Sequence, residues 1–243
     1  MTATSDERPG PATGILLIVA ALALVVASAA EFAPGEIRGN GDDPADSIAY
    51  LRAAFEFYAY SGGALITGGA TLVAGVVGVA RIVQAGRLSH AYLVASCFGV
   101  LAGGFFAVGG MLRLNATGTV LHISDLDPGW GESAYLVVQV AGTQGMIATG
   151  MVGLAAWLIA TAILAGRRRL PGLVVIGLLP AAILGLLVFD ILAPHAELPD
   201  AVFLIYVAAI TIGLPLGLTT LGVSLLVPAG RERFAARSRV ASS

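Results

Sequence analysis

The sequence predicts an all-α protein, a polytopic transmembrane helical bundle of six spans with both termini in the cytoplasm. Three observations carry that expectation. Charged residues make up 12% of the chain and hydrophobic ones 57%, with a mean hydropathy of +0.90, whereas a soluble domain carries about 25% charged residues. The apolar residues fall in blocks of membrane-spanning length separated by short polar gaps. The charges are sorted by sign, with Arg and acidic residues concentrated in alternate gaps.

The centre of this pattern is Arg167-Arg168-Arg169, a cationic step between two long apolar runs. Clustered Arg beside a hydrophobic span marks the cytoplasmic side of a bilayer, so these three residues are the topology determinants from which the chain is laid out. Residues 1–13 form a polar tail, expected to be disordered and cytoplasmic, and the transmembrane domain covers 14–228. The first span runs from Gly14 to Ala30. A cleavable signal peptide competes with it, because Arg8, the apolar core and Ala27-Ser28-Ala29 also fit that pattern. The retained helix is preferred because the tail is barely basic and the topology closes with it in place.

Residues 31–60 form an acidic extracytoplasmic segment. Asp43-Pro44 suits a helix start, since Asp can cap and Pro fits the first helical position. Ile48, Leu51, Phe55 and Tyr58 then recur at spacings of three and four, one apolar stripe of an amphipathic helix lying at the membrane surface. Tyr50, Phe55, Phe57, Tyr58 and Tyr60 suit the headgroup level, where aromatics collect.

The second span runs from Gly62 to Val83 and the third from Ala91 to Leu112, joined by a tight basic loop. Arg113 to Glu132 is expected as the next polar loop. Ser133 to Ala165 is too long for one perpendicular crossing at about 1.5 Å per residue, so its outer end should project, tilt or become irregular. The fifth span runs from Gly172 to Leu192 around Pro180, and the sixth from Ala201 to Val227 around Pro215. A basic tail, 229–243, closes the chain. With the Arg triplet inside, Arg8, Arg81, Arg87, Arg231, Arg233, Arg237 and Arg239 also fall inside, and only Arg38, Arg52 and Arg113 fall outside. Every gap obeys the positive-inside rule.

Lipid gives helices no hydrophobic reason to associate, so small residues must permit close contact. Gly68, Gly69, Gly75 and Gly78 supply them in the second span, Gly99 and Gly103 in the third, Gly142, Gly145, Gly150 and Gly153 in the fourth, and Gly213 and Gly217 in the sixth. They serve packing within one bundle, with a homo-oligomer or a membrane-protein partner on these Gly-rich faces as the alternative.

The candidates for chemistry are sparse. Asp190 is the one ionisable residue inside an expected span, and such residues are functional hypotheses by default. Gln139, Thr143 and Gln144 form a polar patch in the outer half of the fourth span, with Gln139 and Thr143 on one face at i, i+4. His122, His195 and Glu197 are outer-side residues of the types that bind divalent metal, but without diagnostic spacing. Cys97, the only cysteine, excludes an intramolecular disulfide and reads as a small core residue. Zinc-protease, phosphate-loop and serine-hydrolase motifs are missing, and no cofactor and no nucleic-acid partner is implied.

The layout resembles an uncharacterised prokaryotic family of six-helix integral membrane proteins, a domain of unknown function. The likeness rests on the acidic segment after the first span and on the basic step Arg169-Leu170-Pro171-Gly172 between the fourth and fifth spans. It implies a six-helix membrane fold and no activity, cofactor or catalytic residue. The functional expectation is a non-enzymatic plasma-membrane protein, an accessory subunit or binder of a membrane component. A small-solute carrier using Asp190 and the Gln139–Gln144 patch, or an intramembrane enzyme built on outer-side His and carboxylates, are the alternatives.

Overall fold

The computed structural model describes residues 10–32, 44–84, 90–167 and 209–235. Every one of these residues is helical except Ala54, Asp127 and Val227, and none is in a strand. The elements are α1 (Gly10–Phe32), α2 (Pro44–Ala53), α3 (Phe55–Gln84), α4 (His90–Leu126), α5 (Pro128–Tyr135), a π-helical run (Leu136–Gln144), α6 (Gly145–Arg167), a second π-helical run (Ala209–Gly213), α7 (Leu214–Leu226) and α8 (Pro228–Ala235). Four stretches are long and apolar enough to cross a membrane: Pro11–Ala30, Phe55–Val83, His90–Leu126 and Pro128–Ala165. Thr211–Leu226 is a shorter apolar helix. The expected fifth span, Arg168, Arg169, Asp190, His195 and Glu197 lie outside the described residues.

Neighbours in the bundle follow the order α7, α1, α3, α4, α6, and the contacts show that each adjacent pair is antiparallel. Gly78, Gly75 and Gly68 of α3 meet Thr13, Leu17 and Ala23 of α1 in turn. Gly99 of α4 meets Trp157 of α6, while Gly109 meets Ile147. Gly14 of α1 lies against Gly222 of α7. The start of α1 and the ends of α3, α6 and α7 therefore gather at one end with the start of α4. That end carries Arg81 and Arg167, and the opposite end carries Glu56, Asp125, Asp127 and Glu132. The bundle thus has an arginine end and an acidic end. Its core is apolar, with Leu17, Leu72, Phe106, Leu154, Trp157 and Leu218 buried.

α3 and α4 approach each other closely along their length. A Cβ on Gly103 would lie 2.6 Å from the Gly69 carbonyl oxygen, and one on Gly110 would lie 2.5 Å from the Gly62 carbonyl oxygen. Only glycine fits at such crossings. These glycines are committed to contacts inside the chain, whereas Gly63, Gly104 and Gly145 face open space.

Several expectations change. The first helix begins at Gly10, not Gly14, and buries Thr13 against Gly78. Arg113 to Glu132 is not a loop: α4 continues to Leu126, and α5 follows after a single residue. The cause is a buried stripe that does not stop at the apolar block. Gly99, Phe106, Gly110, Arg113, Thr117 and Val120 are all buried at spacings compatible with one helix face. Asp127 then breaks the helix. Its backbone is extended, its Oδ1 accepts from the N–H groups of Gly129 (2.9 Å) and Trp130 (3.2 Å), and Pro128 starts α5. The overlong fourth span becomes irregular through the π-helical run. In the acidic segment, Ile48 and Leu51 are buried, but the stripe fails at Phe55, which is 40% exposed. Cys97 is also exposed; an apolar block identifies a helix but not which of its faces meets the core.

If the α3–α4 crossing depends on those glycines, Gly69→Leu or Gly103→Leu should destabilise the protein by about 1–3 kcal/mol through overpacking. Gly104→Leu, facing open space, should stay within about 0.5 kcal/mol. Unfolding followed by circular dichroism in a fixed detergent measures both.

Candidate functional site

The site lies at the acidic end, where α3 and α4 cross at Gly62 and Gly110. Because neither position has a side chain, the backbones approach closely enough for Gly62 to lie against the Cβ of Arg113. One turn from this crossing, Arg113 Nη1 donates a 2.6 Å hydrogen bond to Ser61 Oγ. Its guanidinium carbon also sits 5.3 Å from the centroid of the Tyr58 ring, a cation–π contact of about 0.5–2 kcal/mol. Arg113 is 4% exposed and Ser61 is 0% exposed. At 1.5 Å per residue Arg113 lies about 35 Å along α4 from His90.

A second chain of polar groups continues from it. Thr117 Oγ1 donates to the Arg113 carbonyl oxygen (2.7 Å) and accepts from Gln139 Nε2 (2.8 Å). Gln139 and Thr143 are both buried, on one side of the π-helical run as their spacing suggested, and Thr143 Oγ1 donates to the Val138 carbonyl oxygen (3.1 Å). The wider π turn carries that back-bond across five residues rather than four. Gln144 faces outward and makes no part of this network. Arg113 also lines a small, partly open cavity of about 30 Å³ with Ser28, Phe106, Ile147, Met151 and Leu214. This volume is room for water and far below that of an organic-ligand pocket. Ile147 and Leu214 stand just after the two π-helical runs, so both irregular backbones flank the cavity.

Above the network, α2, the end of α4 and α5 form a cap. Arg52 Nη2 pairs with Asp125 Oδ1 at 2.6 Å, an exposed contact. Tyr50 meets Tyr58 edge to face, with centroids 6.2 Å apart and planes at 76°. Tyr58 therefore joins the cap to the buried arginine. Leu126 and Trp130 at the turn between α4 and α5 remain 75% and 72% exposed.

The structure thus unites Gln139 and Thr143 with residues that sequence patterning assigned elsewhere. Arg113, Thr117, Ser61 and Tyr58 were legible only in part. Arg113 and Thr117 stand at i, i+4 on the same face as Gly103, Phe106 and Gly110, which signals a helix running past the apolar block. Ser61 and Tyr58 carry no such signal, because their partner is remote in sequence. His122 is exposed, and among the described residues no three His, Cys, Asp or Glu side chains gather around a possible metal. No protein-family model matches the chain, and neither does a curated protein or a solved structure.

The Thr117–Gln139 bond joins two helices, so Thr117→Val and Gln139→Leu should each cost about 0.6–1.7 kcal/mol. The double variant should cost less than the two singly summed, since both remove one interaction. Equilibrium unfolding of the three variants in one detergent provides the cycle.

Proposed function

We propose that the chain is a six-span plasma-membrane protein with both termini in the cytoplasm, acting as a non-enzymatic accessory subunit or binder of a membrane component through its acidic end. The helical bundle with four apolar helices of spanning length supports membrane residence. The arginine end, read by the positive-inside rule, is the cytoplasmic one, in keeping with the Arg167-Arg168-Arg169 step of the sequence. The layout's resemblance to the six-helix family of unknown function belongs to the same proposal.

One observation carries the binding role. The cap is held by burial of Ile48 and Leu51 and by the Tyr50–Tyr58–Arg113 contacts, yet its tip leaves Leu126 and Trp130 uncovered. Tryptophan is one of the side chains enriched among the residues that dominate protein recognition, and Trp130 stands uncovered on this scaffold. A carrier is the second reading, favoured by the two π-helical runs beside the Arg113 cavity, since interrupted helices mark solute sites in transporters. Asp190 belongs to that second reading.

Native mass spectrometry of the protein, gently extracted with its surrounding lipid, separates the two. A stoichiometric protein partner, lost on Leu126→Glu with Trp130→Ser while unfolding is unchanged, is the expected result. A lone chain retaining a small solute, with uptake abolished by Asp190→Asn at normal expression, would replace the subunit reading with the carrier.

A further inference from the structure

We propose that the groove between α3 and α4 at the arginine end binds one anionic phospholipid, with an acyl chain in the groove and the phosphate on Arg81. The groove has a volume of about 560 Å³ and is walled chiefly by Val76, Val77, Leu93 and Leu101, with Arg81 its one charged lining residue. It is a different surface from the cap, at the other end of the bundle, and it stands independently of the subunit reading.

Three features select this occupant. The walls are apolar but uncovered, with Val77, Leu93 and Leu101 at 39%, 48% and 55% exposure; in a bilayer such a concavity meets lipid chains. The length fits one leaflet: the stretch of α4 from Leu93 to Leu101 rises about 12 Å, against about 15 Å for half of a 30 Å hydrocarbon layer. Arg81 is the basic residue of the last turn of α3 and is exposed, and it forms no ion pair among the described residues. It stands where a chain seated in the groove would place its headgroup.

Charge also argues against a second copy of the chain in the same place. A copy docked here in the same orientation would bring its own Arg81 to this level, setting cation against cation. An anionic phosphodiester instead supplies the missing partner, and an arginine meets it through parallel N–H donors.

The test uses the purified full-length protein in a neutral detergent, offered equal amounts of phosphatidylglycerol and phosphatidylcholine and read by native mass spectrometry. One phosphatidylglycerol should be retained over phosphatidylcholine by about fivefold, the worth of one arginine near an anionic lipid surface. Arg81→Gln should erase the preference, and Leu101→Trp, which fills the groove, should lower retention of both lipids. Both positions are exposed, so the unfolding temperature should not move. Equal retention by the unaltered protein, or a preference that survives Arg81→Gln, overturns the proposal. Cys97 also lines the groove and is the only cysteine, so its maleimide labelling should slow when phosphatidylglycerol is added and should not slow in Arg81→Gln. Labelling that instead falls with protein concentration alone gives the groove to a second copy and also overturns the lipid assignment.

Discussion

The backbone contact between α3 and α4 is the constraint on which the remaining architecture depends. At Gly69–Gly103 and Gly62–Gly110 the two helices touch main chain to main chain. In a bilayer the drive to associate comes from such close packing and from interhelical hydrogen bonds, not from the exclusion of water. The second of these crossings also determines the chemistry beside it. It brings Ser61 within 2.6 Å of the Arg113 guanidinium at the acidic end of the bundle. A larger residue at Gly62 or Gly110 would displace the backbone that presents both partners.

From that crossing, the polar network extends in two directions. Towards the acidic end it reaches Tyr58, then Tyr50, and so fastens α2 to the bundle. Across the bundle it reaches Gln139 through Thr117, and so fastens the π-helical run to α4. The exposed Arg52–Asp125 pair contributes little by itself, as surface ion pairs usually give less than about 1 kcal/mol. The cap is therefore held mainly by burial of Ile48 and Leu51 and by the aromatic path to Arg113. The described residues hold a small, partly open cavity beside Arg113 at one end and an uncovered apolar groove at the other.

Much of this is legible in the amino-acid sequence. Blocks of apolar residues located the long helices, and the glycine positions in α3 and α4 anticipated close packing. Gln139 and Thr143, one helical turn apart, were recognisable as neighbours. Hydropathy averaged over a window registers Arg113 as the start of a loop, whereas the helix continues to Leu126. The register of buried positions through Gly99, Gly103, Phe106, Gly110 and Thr117 contains the contrary information, since it runs straight through the arginine. Cys97 illustrates the opposite error: its surroundings in sequence are apolar, but apolar residues face lipid as readily as core. The contacts of Ser61 and Tyr58 are long-range, and no local pattern encodes them.

The uninterrupted course of α4 has a consequence for how this chain tolerates length change. Its 37 residues form one helix without an intervening break, so the glycine crossings and Arg113 share a single angular phase. Inserting one residue between Gly103 and Arg113 would rotate everything beyond it by about 100°, turning the guanidinium from Ser61 toward the lipid. The partner segment has a different tolerance. Its π-helical run, Leu136–Gln144, already accommodates extra residues per turn, the usual way a helix absorbs an insertion without passing the rotation onward. The α4 helix is thus the fixed reference of the bundle, and the segment opposite carries the slack.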